Sequence, residues 1–229
     1  MQLFYKADFG ETQMLDETDS KHCIKVLRKA IGDEVWVTNG LGDMYQCIIT
    51  DANPKKALLK TTQHLVEFQK SSRRIHLAIA PTKNIDRITY LVEKATEIGL
   101  SEITFILTTN SERKIIKKDR VERVAISAMK QSLKAYLPKV NELVTYEEFI
   151  ANNTSNQKFI AHLSEKSSPL ESYSPENDVC IVVGPEGDFT DEELSLAEQA
   201  GYKQVSMGTS RLRTETAGLV GVTLLNLLK

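Results

Sequence analysis

From residue 75 onward, compact apolar runs alternate with longer amphipathic ones, and no other feature of the chain narrows its fold so far. "IHLAIAP" (75–81), "EITFILT" (102–108), "QKFIAHL" (157–163) and "DVCIVVG" (178–184) are strand-length and nearly continuous in apolar residues. Strands of that kind are buried on both faces. Between them, "NIDRITYLVEKATEIG" (84–99) sets Ile85, Ile88, Val92, Ala95 and Gly99 on one helical stripe. "KDRVERVAISAMKQSLK" (118–134) reads as a second helix. "TDEELSLAEQAG" (190–201) reads as a third, opened by a Thr190–Glu193 capping box and closed by Gly201. A short strand, "YKQVSMG", leads into a last helix over 214–228. Strands alternating with helices in this way predict an α/β domain with a parallel sheet covered on both faces.

The first seventy residues follow another pattern. "DEVWVTN" (33–39), "MYQCIIT" (44–50) and "KALLKTT" (56–62) are short and rich in β-branched or aromatic residues, with the two-glycine turn "GLGD" between the first two. One short helix interrupts them, "DSKHCIKVLRKAIG", with Asp19 or Ser20 as its cap and Gly32 after it. "EFQKSSRR" (67–74) reads as a linker. The expected plan is a small β domain over 1–70 and an α/β domain over 73–229.

With 229 residues, 41% apolar and 26% charged, the chain has the composition of an ordinary globular protein with a real core. No apolar run approaches spanning length, and "MQLFYKADFG" is not built like a secretory leader, so a cytoplasmic protein away from membranes is expected. Cys23, Cys47 and Cys180 form no C-x-x-C pair, and His22, His64, His76 and His162 have no ligand spacing; no metal site is expected. The net charge of −2 hides a segregation. Lys21, Lys25, Arg28 and Lys29 cluster without an acid, residues 113–123 carry six basic residues, and the acids gather in "EGDFTDEELSLAE". The basic runs are either a face for a phosphate backbone or solvated helix surfaces.

Ligands of open α/β sheets sit at the carboxyl ends of strands. Two loops there stand out: "GPEGDFT" (184–190) and "GTSRLRT" (208–214). Gly184 and Gly187 let the backbone turn sharply and approach a ligand, and Pro185 stiffens the turn. An ordinary βα turn would account for these three; in the second loop Arg211, Arg213 and Glu215 close together are more than a turn needs, and point to a ligand site or to a strained helix start with solvated arginines. Thr214 or Thr216 is the expected cap of the last helix, with backbone donors left over. That helix contains Gly218 and Gly221, each costing up to about 1 kcal/mol relative to alanine, which implies close backbone packing. G-x-G-x-x-G after the first strand, the P-loop, H-E-x-x-H and the nucleophile elbow are all absent.

"GPEGDFTDEE" followed by "MGTSRLRTETA" resembles the paired signature of the RsmE family, bacterial methyltransferases acting on N3 of a uridine in 16S ribosomal RNA. "HCIKVLRKAIGDEV", "PTKNIDRITYLVEKATEIGL", "TTNSERK" and "AMKQSLKAYLPKV" resemble further segments of that family, in order along nearly the whole chain. Three positions depart from its pattern: Asp188 where a second glycine is usual, Arg211 where an apolar residue is usual, and Lys134 in place of an arginine.

The resemblance implies a SPOUT-type parallel sheet with a C-terminal trefoil knot, a PUA-like β-barrel in front, a homodimer, S-adenosylmethionine as cofactor and 16S rRNA within the small ribosomal subunit as partner. It implies a cofactor shell of Leu163, Gly184, Pro185, Glu186, Gly187, Met207, Gly208, Leu212, Arg213, Thr214, Glu215, Thr216 and Ala217. The small-residue helix would pack under the cofactor and against the second subunit. RNA contacts would come from His22, Lys25, Arg28, Lys83, Arg87, Arg113, Gln131 and Lys134. Uracil N3 carries a proton at neutral pH, which assigns Glu215 as base, or leaves it in an ion pair within the loop. Arg213 or Arg211 would stabilise the uracil oxygens. Two other classes remain: a non-catalytic RNA-binding or assembly protein on the same fold, and a phosphate-binding enzyme with "GPEG" as anion loop, against which Glu186 and Asp188 argue.

Overall fold

The computed structural model describes residues 2–174 and 176–228. The chain forms two compact units, one of residues 1–70 with 126–137, the other of 71–125 with 138–229. The stretch 126–137, placed by its sequence in the α/β domain, therefore packs with the N-terminal unit.

In the first unit β1 (Leu3–Tyr5), β2 (Glu34–Thr38), β3 (Met44–Asp51) and β4 (Leu58–Leu65) form a four-stranded sheet in that order. The β1–β2 pairing is parallel and the other two are antiparallel. In place of a ladder closing a barrel, the stretch 13–15 runs along β4, with N–H bonds from Leu15 to the Ala57 carbonyl (3.0 Å) and from Leu59 to the Gln13 carbonyl (2.9 Å). Phe4, Val35, Val37, Cys47 and Ile49 fill the core beneath the sheet.

The helix expected after residue 18 starts earlier and ends sooner. Helix α1 (Glu17–Lys21) is capped by Asp16, whose carboxylate accepts the Asp19 N–H at 2.7 Å; neither Asp19 nor Ser20 is the cap. Both are buried: Asp19 pairs with Lys130 at 3.1 Å, and the Ser20 hydroxyl bonds the 15 and 57 backbones. A π-helical turn, His22–Val26, follows, and Arg28 leaves it in the left-handed region at φ 56°. The "GLGD" turn holds the 126–137 segment: Gly42 donates to the Ala135 carbonyl (2.9 Å), and Leu137 to that of Gly40 (2.9 Å). Gly42 is required there, because a Cβ would lie 2.5 Å from the Tyr136 ring.

The second unit is a seven-stranded, wholly parallel sheet, as the apolar runs predict. Its strands are β5 (Arg74–Ile79), β6 (Glu102–Leu107), β7 (Lys139–Thr145), β8 (Gln157–Ala161), β9 (Ser168–Pro169), β10 (Asp178–Val183) and β11 (Lys203–Ser206). Their order is β7-β6-β5-β10-β8-β11-β9. β7 and β9, too polar or too short to read from periodicity, complete its edges. Helices α2 (Ile85–Ile98) and α6 (Thr214–Leu227) pack together, and α6 lies on β5 and β10. Helices α4 (Tyr146–Asn152) and α5 (Asp191–Gln199) pair with one another and pack on the core of Ala78, Ile160, Cys180 and Val182. Helix α3 (Lys118–Gln131) begins in this unit. The Thr190–Glu193 capping box of α5 is present as expected.

The glycines of α6 bring it onto the sheet. A Cβ at Gly218 would lie 2.9 Å from Ile79 Cδ1, and one at Gly221 would lie 2.9 Å from Ile181 Cδ1 and 3.3 Å from Met207 Sδ. Close packing is thus correctly read from their cost, but what they pack on is chiefly the sheet.

Candidate active site

At the carboxyl ends of β8, β10 and β11 the three following loops enclose a cavity of about 450 Å³. That is within the ~300–1,000 Å³ typical of small-molecule sites. Leu163, Gly184, Pro185, Glu186, Met207, Gly208, Leu212, Arg213, Thr214 and Ala217 line it. Gly187, Glu215 and Thr216 do not. Gly187 faces the loop after β6 instead, where a Cβ would meet Asn110 Cβ at 3.0 Å. Thr216 is exposed. Arg87, Ala161, His162, Val183, Asp188 and Ser206 are among the lining residues that sequence reasoning did not assign to the cleft. His162 had one available signal, its place beside Leu163 at a strand end.

The 184–190 loop is fixed from outside the cleft. The Asn110 amide donates to the carbonyls of Gly187 (3.1 Å) and Asp188 (3.0 Å). The buried Glu193 carboxylate accepts the Thr109 N–H (2.8 Å) and the Thr190 N–H (2.9 Å), joining the β6 loop to the head of α5. Asp188 has φ 61°, a left-handed conformation that suits glycine, and aspartate is among the few other residues to adopt it. Its carboxylate accepts the Phe189 N–H (2.8 Å) and meets His162 Nδ1 at 3.2 Å. Gly208, in the facing loop, has φ 101° with open space where a side chain would project.

The charged groups divide. Glu186 accepts the Lys83 N–H at 3.3 Å, while Arg211 donates to the Glu186 carbonyl at 3.2 Å, linking the two loops. Among the described residues Arg213 makes no side-chain hydrogen bond or ion pair, and it is exposed on the cleft. It also stands at the N-cap of α6 without a side-chain capping bond; neither Thr214 nor Thr216 caps the helix. Glu215 pairs with neither loop arginine. Its partner is Arg87 of α2, at 3.6 Å, and its Oε2 is buried with no hydrogen-bond partner among the described residues.

The remaining predicted RNA contacts fall in two sets. In the first unit Lys25 and Arg28 are exposed, His22 is half-buried edge-on to Phe4, and the Lys130–Asp19 pair ties the Gln131–Lys134 segment to α1. In the second, Lys83 is exposed and pairs with Glu112 at 2.9 Å, whereas Arg113 is turned inward, donating to the carbonyls of Thr82 (3.0 Å) and Lys83.

A wholly parallel sheet with a cleft at the carboxyl ends of its strands is an α/β architecture that takes a ligand at that edge. A family model described as an RNA methyltransferase domain matches residues 69–226, and one described as an RNA methyltransferase PUA domain matches 15–62. The chain belongs to this RNA methyltransferase family, of the RsmE type. It is similar to the probable rRNA-methyltransferase of Porphyromonas gingivalis, at 38% identity and a TM-score of 0.92, covering 97% of this chain and 95% of that one. It is also similar to the ribosomal RNA small subunit methyltransferase E of Neisseria gonorrhoeae, solved bound to S-adenosyl methionine, at 26% identity and a TM-score of 0.85, covering 97% and 95%. The ribosomal RNA small subunit methyltransferase E of Rickettsia conorii is 28% identical over 213 residues, 90% of this chain and 86% of its own.

Proposed function

We propose that the protein is an S-adenosylmethionine-dependent methyltransferase of 16S ribosomal RNA, acting on N3 of a uridine in the small ribosomal subunit. The cleft carries the reading: two loops bearing glycines face each other over about 450 Å³ at the end of a family-matched sheet. The cavity suits the cofactor, with apolar walls from Leu163, Val183, Met207 and Leu212 and bare backbone at Gly184 and Gly208. The bound cofactor would supply an electrophilic methyl group on sulfur. The protein's task is then largely one of orientation, which the braced 184–190 loop serves.

Uracil N3 must lose its proton, and negative charge develops on the uracil oxygens. Arg213, exposed on the cleft and unpaired among the described residues, is the group we assign to stabilise them, with Arg211 beside it. A general base must reach the proton it takes. Glu215, off the cleft and paired with Arg87, is assigned instead to holding the head of α6. The exposed Lys25 and Arg28 support RNA binding by the first unit, the PUA-like module. Tyr90 on α2 and Leu227 on α6 are more than half exposed, which supports a homodimer built through these helices. The passage of the chain from β11 through 207–213 to α6 is the segment where we place the trefoil knot. No helix among the described residues is long and apolar enough to cross a membrane, and a cytoplasmic site of action completes the proposal.

Mass spectrometric mapping of 16S rRNA from a deletion strain, before and after treatment with purified protein and cofactor, tests the reading. A missing N3-methyluridine that the protein restores is expected. Unchanged rRNA, or a methyl group restored on another atom, would overturn it.

A further inference from the structure

The carboxylate of Asp188 is poorly explained as a loop residue. It occupies a left-handed backbone position at φ 61°, where glycine is the unstrained choice, and it sits on the cavity wall. A carboxylate offers about four acceptor sites. Local structure uses Oδ1 for the Phe189 N–H at 2.8 Å, and one ring nitrogen, His162 Nδ1, lies 3.3 Å from Oδ1 and 3.2 Å from Oδ2. About half of the side chain remains exposed (49%), so acceptor capacity is left on the cleft side. His162 is held in turn. Its backbone N–H donates to the Val205 carbonyl at 3.0 Å, and its side chain is only 18% exposed. The neighbouring acid, Glu186, already accepts the Lys83 N–H, and the opposite wall is cationic through Arg211 and Arg213. The cavity thus has an acidic wall with spare acceptors and a basic wall, a polarity that matches a zwitterionic ligand.

We infer that Asp188, oriented by His162, binds the cofactor directly, accepting hydrogen bonds from its ribose hydroxyls or its α-ammonium group. The inference rests on the proposal that this cleft takes S-adenosylmethionine. Asp188 is the contacting group and His162 a positioning residue.

Calorimetric titration of the purified protein with S-adenosylmethionine and with 5′-methylthioadenosine, which keeps the ribose but lacks the amino acid, tests it. Asp188→Asn keeps a residue tolerant of the left-handed region and an acceptor for Phe189, while it removes the charge and turns the second acceptor oxygen into an NH2 donor. It should weaken S-adenosylmethionine binding about tenfold, the scale of one charge-assisted hydrogen bond, with an unchanged melting temperature. His162→Ala should weaken binding several-fold, and His162→Asn, whose amide can replace the Nδ1 donor, should recover most of it. An equal loss for 5′-methylthioadenosine assigns the contact to the ribose; a loss confined to S-adenosylmethionine assigns it to the ammonium. Wild-type affinity in Asp188→Asn would overturn the inference, as would affinity and melting temperature falling together, the mark of a mere brace. A wild-type protein that binds neither compound would remove the proposed function with it.

Discussion

The two ends of the parallel sheet are built from the same strands and do opposite things with polar groups. At the amino-terminal end, β5, β6, β7 and β10 converge on Glu102, which is 4% exposed. Its carboxylate receives Arg74, Lys139 at 3.2 Å and the Asn141 amide at 2.6 Å, while Arg74 also reaches Asp178 at 3.0 Å. His76 bonds Thr104 at 2.8 Å beside it. At the carboxyl-terminal end, among the described residues, Arg213 is unpaired, Asp188 is half-exposed and α6 starts without a side-chain cap. A satisfied network stabilises and specifies, whereas unsatisfied groups around a cavity are available to a ligand. The difference teaches which end holds the fold and which end works.

The largest effect should come from breaking the closed end. Glu102→Ala removes the buried acceptor shared by Arg74, Lys139 and Asn141, whose own side chains reach solvent, and should cost about 1.5–3 kcal/mol in urea denaturation. Cofactor affinity of the folded protein should hold; an equal loss of affinity would break the comparison.

Acid should act on the same end. Burial pushes the His76 imidazole down to about 4 from its ordinary 6.5. The unfolded chain therefore binds this proton first, so the His76 contribution is complete above pH 6.5 and is lost as pH falls toward 4. The slope is about 1.4 kcal/mol per pH unit. Burial alone would raise the Glu102 carboxyl, but Asn141, His76, Arg74 and Lys139 together hold it below its usual range, so its stabilisation is lost at still lower pH. Denaturation midpoints across this range should flatten in His76→Asn between 6.5 and 4.

Two glycines on one helix sharpen the contrast. Gly218→Ala and Gly221→Ala should each cost about 1–3 kcal/mol by overpacking, offset by about 1 kcal/mol of helix propensity. Only Gly221 touches Met207, which lines the cavity. Calorimetry should accordingly find cofactor binding weakened a few-fold in Gly221→Ala and unaltered in Gly218→Ala. The smallest effect belongs to Arg87→Ala, which removes a partly exposed ion pair to Glu215 and should lower stability by under about 1 kcal/mol in thermal unfolding.

The working end was partly legible because backbone freedom has a residue signature. Gly184, Pro185 and Gly208 after apolar strands mark loops that can meet a ligand. Contacts between distant segments have no such signature. Arg87 reads as one more helical arginine until α2 and α6 come together, and the meeting of His162 with Asp188 joins loops after two adjacent strands. The closed end was harder still: Glu102 opens an ordinary-looking strand, and its partners come from two other places in the sequence, Arg74 from one and Lys139 and Asn141 from the other. The short strands β1 and β9 escaped because periodicity needs length, and the 126–137 segment escaped because Gly42 makes room for Tyr136 across 94 residues of sequence.

The most direct test is calorimetric titration of S-adenosylmethionine into the wild-type protein, Gly208→Val and Glu102→Gln, with folding verified by circular dichroism. Gly208 is left-handed and open toward the cleft, so valine should distort the ligand-facing loop while leaving the sheet intact. The account predicts one site per chain, lost in Gly208→Val and kept in Glu102→Gln. Undiminished affinity in folded Gly208→Val would contradict it.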